Sequence, residues 1–195
     1  MAELRPDLAV IAAQVPRGSR VLDIGCGDGA LMAALRSKEC DVRGIEIDPD
    51  CVERCVARGL SVVQGDADRD LAFYPDAGFD IAVLSQTLQT AARPDRMLRE
   101  LLRVGTRAYV SFPNFAYWRM RWVLMREGRM PVTRHLPVTW YETQNIHHMT
   151  VRDFEALAKD LGVVPERKWF FTDDREIGAA GANWRAEYAL FELSR

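Results

Sequence analysis

The sequence has no uninterrupted apolar stretch long enough to cross a membrane. A transmembrane helix needs about 20 predominantly apolar residues, and the most apolar region, residues 108–125, is broken by Arg119 and Arg121. The N-terminus has no secretory signal pattern either, since residues 1–7 carry charges of both signs. We therefore expect no association with membranes and a cytoplasmic location.

Cysteine is scarce, and its spacing excludes the common zinc sites. The four cysteines, Cys26, Cys40, Cys51 and Cys55, match no metal-binding pattern. We assign no metal site and expect these residues to be reduced thiols, as is usual in the cytoplasm.

The chain has no excess of positive charge and no internal repeat. The formal net charge is −2, which argues against a general nucleic-acid-binding protein. A length of 195 residues without a repeat or a linker indicates one domain over the whole chain.

The most informative stretch is VLDIGCGDG, residues 21–29. Apolar residues of a buried strand lead into Gly25, Gly27 and Gly29, and a helix-forming run follows. Glycine permits the positive φ of a tight turn and lets a ligand approach the backbone. A strand, a glycine turn and a helix form the crevice in which open α/β sheets bind nucleotides.

The spacing of this turn favours a ligand without phosphate. A dinucleotide fingerprint reads GxGxxG and holds pyrophosphate at a helix N-terminus, whereas this turn reads GxGxG and carries Asp23 and Asp28. These carboxylates would repel a pyrophosphate and suit cationic groups. S-adenosylmethionine has an ammonium, a sulfonium and a ribose, so we favour it over NAD. The alternative is a strand-to-helix turn that binds nothing.

Acids also follow the next two predicted strands. Glu46 lies 21 positions after Gly25, where an acid can accept hydrogen bonds from ribose hydroxyls. It could instead belong to the start of the next helix, but Asp48 fills that capping role and leaves Glu46 free. Asp66 is placed to accept from an exocyclic amine such as that of adenine, and the alternative is a loop acid in solvent.

Strands and helices alternate along the first part of the chain, which predicts an α/β fold. We expect a three-layer, Rossmann-like doubly wound sheet with right-handed crossovers. A helix capped by Thr150 and Asp153 follows, and two strands at about 164–171 and 186–193 complete the sheet. The last strand should be antiparallel, because only a loop-like stretch, residues 172–185, joins the two.

Residues 113–148 interrupt this pattern as an inserted segment rich in aromatic residues and arginine. It could be a lid over the ligand, a protein interface or a nucleic-acid surface, and the acidic chain makes the last the least favoured. Tyrosine, tryptophan and arginine are enriched at interface hot spots, so we favour a lid that doubles as a partner surface. The residues concerned are Phe115, Tyr117, Trp118, Trp122, Trp140, Tyr141, Arg119, Arg121, Arg126, Arg129 and Arg134.

The sequence assigns no catalytic residue. Methyl transfer needs alignment and, for a weak acceptor, a general base. His135, His147 and His148 all lie in the inserted segment and could serve, although a hydrogen-bonded lid residue is the favoured interpretation. No Asn-Pro-Pro-aromatic element follows the fourth strand. Related methyltransferase families hold amide or base nitrogens with such an element, so the resemblance described next implies that these nitrogens are disfavoured as acceptors.

The chain resembles the class I S-adenosylmethionine-dependent methyltransferases and, more closely, the methionine-biosynthesis family MetW. The wider resemblance rests on VLDIGCGDG, GIEID, GDAD and FDIAVLSQTLQ, and the closer one on FPNFAYW, GRMPVT, LPVTWYET, NIH and DFEALAK. A Pro commonly precedes Asn145 in that family, and a Gly follows Phe115, where this chain has Gln144 and Ala116.

The resemblance implies a seven-stranded sheet in the order 3-2-1-4-5-7-6 and a set of ligand contacts. It places Asp23, Gly25 and Gly27 near the methionine part of S-adenosylmethionine or S-adenosylhomocysteine, with Cys26 in the same turn. Glu46 and the adjacent Ile47 would contact the ribose, Asp66 and Ala67 the adenine, and Ser85 and Gln86 the region of the sulfonium.

The resemblance also implies a partner, a homoserine O-acyltransferase. Two hypotheses therefore stand. The chain is a binding subunit of methionine biosynthesis that senses S-adenosylmethionine through two states of the lid, or it is a methyltransferase acting on a small molecule.

Overall fold

The computed structural model describes residues 4–133 and 137–194 and contains one eight-stranded sheet. The strands lie in the order β3-β2-β1-β4-β5-β8-β6-β7. Strands β1 to β5 pair in parallel, and β8 is antiparallel to both β5 and β6. They are β1 (Arg20–Ile24), β2 (Asp41–Glu46), β3 (Ser61–Gln64), β4 (Phe79–Ser85), β5 (Gly105–Pro113), β6 (Pro165–Thr172), β7 (Arg175–Ile177) and β8 (Tyr188–Ser194).

The doubly wound fold is confirmed, with one strand more than expected. If the short β7 is set aside, the order is the predicted 3-2-1-4-5-7-6. The stretch 172–185 is therefore not a simple loop. Asp173 and Asp174, at φ 47° and 58°, form a two-residue hairpin turn with both central residues left-handed. Sequence reasoning missed β7 because it has three residues, of which only Ile177 is apolar.

Helices cover both faces of the sheet. Helices α5 and α7 pack with one apolar cluster of the sheet, and α1, α2 and α3 pack with the others. No described helix has both the length and the apolarity that crossing a membrane requires. The helices are α1 (Pro6–Gln14), α2 (Ala30–Arg36), α3 (Pro49–Ala57), α4 (Ala67–Asp70), α5 (Pro94–Val104), α6 (Trp118–Glu127), α7 (Val151–Asp160) and α8 (Ala182–Arg185).

Local sequence signals explain several helix starts. Proline opens α1, α3 and α5, where its missing N–H has no intrahelical partner to lose. Asp48 caps α3 by accepting the Asp50 N–H at 2.9 Å. The predicted capping box of α7 is confirmed, because Thr150 and Asp153 bond reciprocally.

The inserted segment leaves the sheet after β5 and contains α6. Its two ends are fastened together by the buried Asn114, whose Oδ1 accepts the N–H groups of Ala116 at 3.1 Å and Val151 at 3.3 Å. The Phe115 N–H also bonds to the Met149 carbonyl at 3.1 Å. The insertion therefore departs from and returns to one point of the fold.

The strand order reverses between β1 and β4. In open α/β sheets, ligands bind outside the carboxyl ends of strands at such a switch point. Here the glycine turn follows β1, Glu46 ends β2, and Ser85 ends β4. The fold thus gathers the predicted site residues at the carboxyl ends of the parallel strands.

Candidate functional site

Three glycines hold the turn after β1 in a left-handed conformation. Gly25, Gly27 and Gly29 have φ of 68°, 55° and 77°. A Cβ on Gly25 would lie 2.4 Å from Thr87 Oγ1, so this position must be glycine for the β4 loop to pack. A Cβ on Gly27 would meet nothing within 4 Å, which leaves that side of the turn open to a ligand.

Two adjoining cavities lie at the turn and share Gly25. The larger has a volume of about 450 Å³ and the smaller of about 150 Å³. All ten predicted ligand-contact residues line one or both. The larger is lined by Gly25, Glu46, Ile47, Asp66, Ala67 and Gln86, and the smaller by Asp23, Gly25, Cys26, Gly27 and Ser85. Their contact with a cofactor remains a prediction.

Glu46 is buried and already hydrogen-bonded, contrary to the expectation that Asp48 leaves it free. Its Oε2 accepts the Gly27 N–H at 2.7 Å, and its Oε1 accepts those of Ile47 at 2.8 Å and Asp48 at 3.0 Å. Each carboxylate oxygen has two acceptor positions, so Oε2 retains one for a further donor. Glu46 therefore fixes the shape of the turn while its carboxylate lines the larger cavity.

Asp23 gives the smaller cavity an acid that ionises near neutrality. It is 2% exposed. Burial, followed by repulsion from the Glu46 carboxylate, raises the pKa of Asp23 to about 7, although the Arg5 charge opposes this. Burial also raises the pKa of Cys26 beside it, so that thiol stays neutral.

Arg5 lines the smaller cavity and is held in place by a buried polar cluster. Arg5 pairs with Asp7, its Nε lying 2.6 Å from Oδ1, and it also donates to the Ser85 hydroxyl. Asp7 Oδ2 accepts the Ser111 hydroxyl at 2.6 Å. Burial tends to raise the pKa of Asp7, but the hydrogen bonds and charge of Arg5 outweigh it and the pKa is lowered.

Sequence reasoning missed Arg5 and Asp7 altogether. A charged Asp7 in the first turn of an apolar helix, directly after Arg5-Pro6, was the only local signal. The contact with Ser85 joins positions 80 residues apart, and nothing in the spacing indicates it. Helix α1 and the residue before it therefore contribute to the site.

Asp66 lies at the edge of the larger cavity and is not a free loop acid. It caps the short helix α4, which sequence reasoning missed, by accepting the Asp68 N–H at 3.0 Å. Its own N–H donates to Asp70 at 2.8 Å. The carboxylate thus has a fixed position beside Ala67 on the cavity wall.

Residues 144–148 of the inserted segment pass over the carboxyl ends of the parallel strands. Gln144 lines the larger cavity, and the N–H groups of Ile146 and His147 both donate to the Gln89 carbonyl at 3.0 Å. His148 instead packs edge-on against Phe115, with ring centroids 4.6 Å apart. A part of the segment therefore reaches the larger cavity, and its role as a lid stays a prediction.

In the loop after β4 and the inserted segment, three buried polar atoms meet no hydrogen-bond partner among the described residues. They are Gln86 Nε2, Gln89 Oε1 and His147 Nε2. Gln86 also has a left-handed φ of 51°, and backbone strain of this kind is often kept at functional sites. His135 lies outside the described residues, so the structure places only His147 and His148 of the candidate bases.

Comparison with known proteins identifies a family model for nearly the whole chain. The model described as methionine biosynthesis protein MetW matches residues 5–193. The "Bifunctional methionine biosynthesis protein MetXA/MetW" of Rhodopirellula baltica is 34% identical over 171 residues. That match covers 83% of this chain and only 27% of the length of the relative.

Solved structures share the fold at low sequence identity. An S-adenosylmethionine-dependent methyltransferase from Mesorhizobium loti matches with a TM-score of 0.72 and 20% identity, covering 97% of this chain and 98% of the other. The magnesium protoporphyrin IX methyltransferase of Synechocystis PCC 6803, solved with bound S-adenosylhomocysteine, matches with a TM-score of 0.71 and 16% identity, covering 98% and 83%. The chain has the fold of S-adenosylmethionine-dependent methyltransferases.

The raised pKa of Asp23 predicts a pH-dependent cost to folding. Between pH of about 4 and 7 the folded state keeps a proton that the unfolded state has lost, so stability falls as pH rises and levels off above about 7. Asp23→Asn removes this cost. We expect the difference in unfolding free energy between the variant and wild type to grow by roughly 2–4 kcal/mol from pH 5 to pH 8. Urea unfolding at the two pH values measures this difference. A difference that does not change with pH would contradict the assignment.

Proposed function

The chain belongs to the MetW family of methionine biosynthesis proteins, and we propose that it binds S-adenosylmethionine as a cytoplasmic partner subunit of a homoserine O-acyltransferase. One observation carries the ligand assignment. A small cavity with one cationic and one acidic wall adjoins a larger cavity with carboxylates at its edge, and the two meet at Gly25.

The small cavity suits the amino-acid end of the ligand. Its walls include Arg5 and Asp23, which carry complementary charges for an α-carboxylate and an α-ammonium. An ammonium beside Asp23 would favour the ionised acid and lower a pKa that burial holds at about 7. Neutral Cys26 and the Ser85 hydroxyl add no further net charge.

The larger cavity suits an adenosine. Its volume of about 450 Å³ lies within the usual range for small-molecule pockets. Glu46 would accept from a ribose hydroxyl with the remaining capacity of its Oε2, and Ile47 would lie against the sugar. Asp66 and Ala67 would contact the adenine, and Gln86 would lie beside the sulfonium. S-adenosylhomocysteine fits the same groups except the sulfonium.

The partner assignment draws on the relative from Rhodopirellula baltica. Its name joins MetXA and MetW in one chain, and this chain matches about a quarter of that length. Covalent linkage keeps two modules at high effective concentration, which is useful when they act together.

The inserted segment would link ligand binding to the binding of the partner. Gln144 lines the ligand cavity, and the segment also contains α6. A ligand that binds one position of the segment better than another would shift its population. The chain would thus report S-adenosylmethionine, the adenosyl derivative of the pathway product, to the acyltransferase.

The ribose assignment of Glu46 is tested by a change in ligand preference. Wild type should bind S-adenosylhomocysteine more tightly than its 2′-deoxy analogue by about 1.5–3 kcal/mol, the scale of a hydrogen bond to a charged group. Glu46→Gln should lose most of this preference in calorimetry. The altered turn affects both ligands, so its contribution cancels in the comparison.

Asp68→Asn is the matched control, because Asp68 lines the same cavity and is assigned no ribose contact. It should keep the wild-type preference. An unchanged preference in Glu46→Gln would remove Glu46 from the ribose site.

The proposed subunit role is tested by the rate of homoserine acylation. We expect the acyltransferase from the same organism to acylate homoserine severalfold faster with this chain than alone. S-adenosylmethionine should change that stimulation at concentrations that saturate the chain in calorimetry. A rate that is indifferent to the chain would contradict the partner role and leave the ligand assignment untouched.

A second candidate function is methyl transfer to a small molecule, favoured by the buried, unpartnered Nε2 of His147 within the described chain. An imidazole in that state could take a proton from an acceptor. In this case labelled methyl from S-adenosylmethionine should appear in a small-molecule fraction, and His147→Ala should reduce the transfer at least tenfold. No transferred label would exclude this candidate and leave the subunit role standing.

A further inference from the structure

The exposed apolar side chains of the molecule are concentrated in the inserted segment. Ten of the sixteen exposed large hydrophobic residues in the described chain lie between Trp118 and Ile146. Scattered apolar residues on a surface are ordinary, whereas a large patch of them marks an interaction site. The ligand cavity accounts for Gln144 of this segment but not for these side chains.

Helix α6 presents three of them on one side. Trp118, Trp122 and Met125 follow the i, i+4, i+7 spacing of one helix face and are 42%, 52% and 74% exposed. Among the ten residues of α6, all of them described, only Met120 is buried. Isolated helices of this length are marginally stable in water, so α6 has much to gain from a surface that covers this face.

The surroundings of this face are basic. Residues 118–129 contain four arginines, and Glu127 is the one acid. Arg121 lies over the ring of Trp184, 5.2 Å from its centroid, and Trp184 is 52% exposed, which extends the apolar surface onto α8. Tryptophan, methionine and arginine are the residue types enriched in protein interfaces.

We propose that the α6 face, defined by Trp118, Trp122 and Met125, is the surface that docks onto the acyltransferase. This inference rests on the partnership proposed above and adds where it occurs. The matching surface of the acyltransferase is apolar at its centre and acidic at its rim, because it must cover these side chains and face the arginines.

Charge argues against a second copy of the chain as the occupant. In a symmetric dimer each patch meets its own counterpart, so the arginines at 119, 121, 126 and 129 would face the same arginines. Like charges brought together in an interface cost several kcal/mol. A separate protein with an acidic rim would avoid this repulsion, and a relative whose name joins MetXA and MetW in one chain supports an acyltransferase as that protein.

The test is a binding titration of the full chain with the purified acyltransferase. Trp122→Glu and Met125→Glu should each weaken binding by about thirtyfold or more, the size of a hot-spot loss. Phe73→Glu is the matched control, because Phe73 is 85% exposed and lies outside the segment. It should bind within about twofold of wild type, and all variants should keep wild-type affinity for S-adenosylhomocysteine, which shows that they fold.

Each other outcome overturns the inference. If wild type binds the acyltransferase and both variants bind equally well, the docking surface lies elsewhere and the proposed function stands. If wild type does not bind, the partnership itself fails. If the variants lose self-association or binding to anionic phosphatidylglycerol vesicles but keep the acyltransferase, the face serves another contact.

Discussion

The ligand site depends on the hydrogen bonds that Glu46 accepts at the end of β2. Its carboxylate receives the Gly27 N–H from the turn after β1 and two N–H groups from the residues that follow it. This joins two neighbouring strand ends through one buried charge. The glycine turn is therefore shaped by the same acid that we assign to the ribose.

The charge of Glu46 also affects Asp23. Repulsion from Glu46 contributes, after burial, to the raised pKa of Asp23, and a bound cation would relieve it. A pyrophosphate would instead add negative charge to two buried acids. Electrostatics therefore supports the adenosyl compound that we propose over a dinucleotide.

The sequence predicts the centre of the site well because its signals are local. Gly25, Glu46 and Asp66 each follow a strand end at a spacing that the chain alone reveals, and the structure brings all three to the larger cavity. Arg5 could not be predicted, because its place beside Ser85 depends on how α1 packs against the sheet. The hydrogen bond from the Gly27 N–H to Glu46 could not be predicted for a related reason, since the two residues are 19 positions apart and meet only when β1 and β2 pair.

The inserted segment shows a different limit of sequence reasoning. Its composition indicated an interaction surface, but composition does not say which residues a fold leaves uncovered. Asn114 fastens both ends of the insertion to the sheet, and a closed base allows the length between them to vary at small entropic cost. The insertion therefore presents an exposed, aromatic and basic surface beside the cavity, while Tyr117 and Met120 near its start are buried. We propose that this exposed surface serves a partner, while Gln144 of the same segment lines the larger cavity.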